Sequence, residues 1–138
     1  MGMVIPLRRR ADSKRQHSRV PLQQPVAIVD TFGTVATATT ADISPGGMRV
    51  ACERYTMDSL HLSDRRPNPG HDVHLDVHLR LPLTSGLIKL DVECRLVYVV
   101  PNEDRTHFLT GLQFIRFYNS GADIVERFLK EASLFECN

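Results

Sequence analysis

Apolar and polar residues alternate through most of this chain with a period of two, the spacing of a strand with one buried face rather than of a helix. The sharpest case is DVHLDVHLRL, where Val73, Leu75, Val77, Leu79 and Leu81 alternate strictly with Asp72, His74, Asp76, His78 and Arg80. Val26 and Ile28 begin a similar run that stops near DTFG at residues 30–33, and TVATATTAD follows with the β-branched content that strands favour. After SPGG, Met48, Val50 and Cys52 alternate with Arg49, Ala51 and Glu53. Residues 88–100 and 108–117 supply two more strands around PNEDRT, whose proline, asparagine and acidic residues suit a turn. Residues 54–70 break the alternation and, with DRRPNPG, read as a long irregular connection.

Only the end of the chain changes period. Ile124, Val125, Phe128, Leu129 and Ala132 recur at helical spacing, with Ser120 placed to cap the helix and Asp123 three positions on. Six antiparallel strands followed by one amphipathic helix predict a mainly β fold, a six-stranded antiparallel β-barrel that closes on its own edges with a C-terminal α-helix packed against it. The helix's leucine and phenylalanine positions read as core rather than as a partner-binding groove. The expected organisation is a flexible basic arm over 1–19, the barrel over 20–118 and the helix over 119–138.

Composition narrows the function classes. The 138 residues suffice for one domain with a real core. No apolar run approaches the roughly eighteen residues of a membrane span, so none is expected. The opening MGMVIPLRRR has its basic residues after its apolar ones, the reverse of a secretory signal. Three cysteines, Cys52, Cys94 and Cys137, form no Cys-x-x-Cys pair, which points away from a disulfide framework or a zinc site and toward a reducing cytoplasm. The net charge of +1 hides an asymmetry: Arg8, Arg9, Arg10, Lys14, Arg15 and Arg19 stand against Asp12 alone. A cationic arm of about +5 therefore precedes an essentially neutral domain, and its target should be anionic.

Catalytic and metal-binding readings are weak. His74 and His78, beside Asp72 and Asp76, stand four apart on a strand, about 13 Å at the strand rise, which one ion cannot bridge. No metal and no cofactor are expected. Ser44 lacks the Gly-x-Ser-x-Gly setting and the cysteines lack an identifiable histidine partner, so the chain does not read as an enzyme.

The more specific signal joins the arm to one turn. Arg15 and Arg19 stand four apart in RQHSR just ahead of the first strand, and DISPGG (Asp42, Ser44, Gly46, Gly47) lies between the second and third strands. On its own the turn could be an Asx-type bend, with Asp42 binding its own backbone and the glycines supplying positive φ. Together the two motifs resemble the signatures of the PilZ domain family, bacterial receptors for cyclic di-GMP: Arg-x-x-x-Arg followed by Asp/Asn-x-Ser-x-x-Gly. Both are complete here, and the resemblance extends over roughly residues 8–117, with RVPLQQPV leading into the first strand and GLQF at residues 111–114 in the last.

The resemblance implies a six-stranded barrel with a C-terminal helix, and cyclic di-GMP as ligand. It implies that Arg15 and Arg19 meet guanine edges and phosphates, for which arginine's planar charged fork is suited. Arg8, Arg9, Arg10 and Lys14 would form a supplementary clamp, and Lys14 beside the first motif arginine goes in this family with an intercalated ligand dimer. Asp42 would accept from guanine N1 and N2, Ser44 would add a polar contact, and Gly46 and Gly47 would let the backbone approach the ligand. Tyr98 in RLVYVV either stacks near a base or packs in the core. The signal would pass to an unidentified downstream protein as the arm orders. The alternatives are a general anion- or nucleic-acid-binding module working through the basic arm, and a PilZ-like scaffold that has lost its ligand and works by protein contacts. The intact motifs argue against that scaffold, and nucleic acid is not the expected partner.

Overall fold

The computed structural model describes residues 19–62 and 72–136. Strands β1 (Val20–Pro21), β2 (Pro25–Val29), β3 (Val35–Ser44) and β4 (Gly47–Glu53) lead into a short helix α1 (Arg54–Ser59); β5 (His74–Leu83), β6 (Gly86–Pro101), β7 (His107–Phe117) and helix α2 (Gly121–Glu136) complete the chain. All pairings are antiparallel, in the order β1-β3-β2-β5-β6-β7-β4, and β4 pairs back onto β3. Six strands thus close into a barrel, as the periodicity predicts, and closure pairs each of β2 to β7 with a neighbour on both sides.

The alternation seen in the sequence is the inside–outside pattern of the wall. Leu75, Val77, Leu79 and Leu81 of β5 join Val26, Ile28, Val50, Leu90 and Val92 in one core, while His74 and His78 point outward to different carboxylates, Glu93 and Asp91, each at 2.7 Å. Cys52 and Cys94 lie in the same core as free thiols. Burial pushes the Cys94 thiol up to about 12, with Asp76 and Glu93 adding to it; burial also raises Cys52, which the contact with Thr110 partly opposes. Neutral thiols favour the fold fully below their ordinary pKa, and that contribution is lost as pH rises through the raised value. A thiol reagent at pH 8 should therefore modify Cys52 and Cys94 only at the rate at which the native protein opens; modification as fast as that of an unfolded control would contradict this packing.

Two features fall outside the simple alternation. Within the 54–70 stretch read as irregular, residues 54–59 form α1, and Thr56, Met57, Leu60 and Leu62 are buried there. The Thr56 hydroxyl donates to the Thr37 carbonyl at 2.9 Å, and His61 ends the helix in the left-handed conformation with φ 56°. A helix of 6 residues, under two turns, is too short to show a period among polar neighbours, which is why the pattern hid it. Residues 63–71 lie outside the described residues.

The second feature is the two-residue strand β1. It lies on the same side of β3 as β2, separated from it by residues 22–24. Buried Thr40 bridges the gap: its hydroxyl donates to the Leu22 carbonyl at 2.7 Å and accepts from the Gln24 amide at 2.9 Å. β3 carries a matching irregularity between Thr40 and Asp42. This stitching pairs Pro21 with Asp42 and brings the end of the basic arm onto the barrel wall.

Helix α2 packs on β5 and β6, with Val125 and Phe128 buried. The Ile124 amide closes its first turn on the Ser120 carbonyl at 3.1 Å. Among the described residues no helix is long and apolar enough to cross a membrane.

Candidate functional site

The DISPGG bend is a hairpin with Pro45 and Gly46 at its tip: Ser44 faces Gly47, Ile43 faces Met48 and Asp42 faces Arg49. Ile43 and Met48 point into the core, so Asp42 and Arg49 stand on the outer wall. Arg49 donates to Asp42 Oδ2 from both Nε, at 2.8 Å, and Nη2. Arg19, entering through β1, donates from Nη1 to the other carboxylate oxygen, Oδ1, at 3.1 Å. One carboxylate thus holds two arginine forks, and its side chain is only 11% exposed while Arg19 stays 46% exposed.

Hydrogen bonding to Asp42 holds the Arg49 guanidinium even more firmly protonated than usual; partial burial opposes this, and the Tyr98 hydroxyl adds to it. The Asx-type reading of the turn therefore fails on two counts. The Asp42 carboxylate is engaged by arginines, and neither Gly46 nor Gly47 has a positive φ.

The two glycines differ in what they do. A Cβ on Gly47 would lie 2.1 Å from the Leu112 carbonyl oxygen of β7, so this glycine is required for close strand approach. A Cβ on Gly46 would meet nothing within 4 Å. The Gly46 carbonyl accepts from the Phe114 amide at 2.9 Å, which fixes the bend to β7, and Ser44 Oγ donates to the Gly47 carbonyl at 3.3 Å.

The clamp continues as a cross-strand row. Arg49 faces Gly111 on β7, and Gly111 faces Tyr98 on β6. An irregularity in β6 between Leu96 and Tyr98 sets this register, and the ring lies over the glycine, where an added Cβ would be 2.3 Å from Cε2. Tyr98 is half-buried on the outer wall and is not part of the buried core cluster. A second row runs beside the first: Arg95, Gln113 and Gly47 face one another in turn, and Arg95 Nε donates to Gln113 Oε1 at 3.0 Å.

Of the residues singled out by sequence, Arg19, Asp42, Ser44, Gly46, Gly47 and Tyr98 come together on the wall built by β3, β4, β7 and β6. Arg8, Arg9, Arg10, Lys14 and Arg15 lie outside the described residues. Sequence reasoning passed over Arg49, Arg95 and Gln113. Hairpin counting from a two-residue tip would have found Arg49 opposite Asp42; Arg95 and Gln113 needed the β6–β7 register.

This wall defines the molecule first as a small closed antiparallel barrel with an arginine–carboxylate clamp beside a proline–glycine bend. The family model of the PilZ domain matches residues 13–131, and the chain belongs to that family. A search of the curated proteins gave no match. Among solved structures, the chain is similar to the Bacillus subtilis inhibitor of motility MotI/DgrA, with 15% identity and a TM-score of 0.63 over 88% of this chain and 50% of that one. It is also similar to MrkH of K. pneumonia in its complex with c-di-GMP, with 18% identity and a TM-score of 0.54 over 87% and 52% of the two chains. A third likeness is to the PlzA protein of Borreliella burgdorferi in complex with c-di-GMP, with 10% identity and a TM-score of 0.51 over 91% and 49%. This chain spans about half the length of each, and at these identities what is shared is the fold.

Proposed function

We propose that this chain is a non-enzymatic receptor for cyclic di-GMP, which it binds on the outer wall around Asp42. The observation that carries the reading is the clamp: Arg19 and Asp42, one from each family signature, are hydrogen-bonded at 3.1 Å although 23 positions apart in sequence. Membership of the PilZ family, and structural likeness to two proteins solved with c-di-GMP, support the same ligand.

The chemistry suits that ligand. Arg19 keeps donors free beyond the one held by Asp42, and a guanidinium fork can take guanine O6 and N7 or a phosphate. Arg15, four residues upstream and at most about 14 Å of extended chain away, brings a second fork. Asp42 has lone pairs left for the guanine N1 and N2 donors, and Arg49 keeps the carboxylate oriented toward the arm. Ser44 and the open backbone at Gly46 border the same surface, Tyr98 offers an aromatic face at its far end, and Arg8, Arg9, Arg10 and Lys14 add charge for the phosphates. Ligand contacts offset the entropy of fixing the arm's basic residues around the ligand, and the altered surface is what a downstream protein would read.

Calorimetric titration with cyclic di-GMP, with GTP and single-stranded DNA as controls, tests this. Wild type should bind cyclic di-GMP selectively, and Arg15→Ala or Arg19→Ala should each weaken binding by about 1–3 kcal/mol. Equal affinities in wild type and Arg19→Ala would remove that residue's role. Equal affinity for DNA, with a steep salt dependence, would favour the general anion binder instead.

A further inference from the structure

Helix α2 lays Val125 and Phe128 in the core and packs Ile124, Leu129 and Ala132 against it, and leaves Leu134 exposed. The core residue Val125, the half-buried Leu129 and Leu134 border a groove closed on its other side by Val20, Pro45 and Phe117. The groove holds about 640 Å³, in the range of clefts that accept a ligand or a short peptide, and Leu134 at its end is 68% exposed.

We propose that this groove is the docking site for the chain's own apolar leader, residues 3–7 (MVIPL). Three observations point to that occupant. The chain enters the described fold at the groove itself, since Val20 is part of its wall and Arg19 is the residue before it. The leader is an uncharged apolar run directly before Arg8–Arg10, and such a run is stabilised by burial. The reach is ample: the twelve residues from Leu7 to Arg19 extend up to about 40 Å, whereas the helix face from Ala122 to Leu134 is about 18 Å long. Tethering supplies an effective concentration in the millimolar range, so a short segment with weak intrinsic affinity docks in cis.

The inference goes beyond the ligand reading, and its test contains no nucleotide. Methyl NMR spectra of the full chain are compared with those of a full-length variant carrying Val4→Asp, Ile5→Asp and Leu7→Asp. The methyl signals of Val20, Val125, Leu129 and Leu134 should shift in the variant, while those of Leu79 and Leu81 inside the barrel stay in place and report an intact fold. A synthetic peptide of residues 1–7 added to the variant at roughly millimolar concentration should move the groove signals back toward their wild-type positions. Coincident wild-type and variant spectra at the groove would overturn the proposal. So would groove signals in the wild type that move with protein concentration, because a second copy would then be the occupant.

Discussion

Gly47→Ala is expected to destabilise the protein by about 2–4 kcal/mol, whereas Gly46→Ala should change stability by less than about 1 kcal/mol. The two residues are neighbours in the same bend, and composition alone would treat them alike. At Gly47 the added methyl would meet the Leu112 carbonyl at 2.1 Å, and a strand carbonyl can withdraw only if the β4–β7 register shifts. At Gly46 there is open space and an ordinary negative φ, so alanine fits and slightly restricts the unfolded chain. Urea unfolding of both variants beside wild type measures the difference. A Gly47→Ala protein as stable as wild type would mean that β4 and β7 are not in this register. If cyclic di-GMP approaches the bend as proposed, Gly46→Ala loses affinity while keeping its stability, which separates a ligand role from a structural one.

Asp42→Ala should have the largest effect on ligand binding, at least about 2–3 kcal/mol, or some 30- to 150-fold. The carboxylate holds both Arg19 and Arg49, so its removal releases two forks and takes away an acceptor for guanine. The cost to stability should be smaller, about 1–2 kcal/mol, because both arginines keep solvent access and are partly screened. Calorimetry and far-ultraviolet circular dichroism on the same sample test the pair of expectations. Retained affinity would remove Asp42 from the site. An unfolded variant would show that the clamp's main task is to hold the β1–β3 junction.

Gly111 has a comparable dependence on its neighbours. Nothing in GLQF says why a glycine is needed there; the reason is the Tyr98 ring lying across it, and that contact depends on an irregularity in β6 some thirteen residues earlier in the chain. The second row through Arg95 and Gln113 was illegible for the same reason, since a one-residue irregularity changes which side chains meet across a ladder.

By itself, the sequence determined the barrel and its closing helix, because periods of two and 3.6 are local consequences of backbone geometry and can be read wherever one face is buried and the other wet. It also determined the identity of the motif residues Arg15, Arg19, Asp42, Ser44 and Gly47. What only the tertiary structure decided is which groups face one another: Arg49 and Arg19 on one carboxylate, Tyr98 over Gly111, and a groove between α2 and the strand that follows the arm. Those contacts join residues far apart in the chain, and their partners are chosen by strand register, bulges and helix placement, which follow from packing the whole core at once rather than from any local stretch.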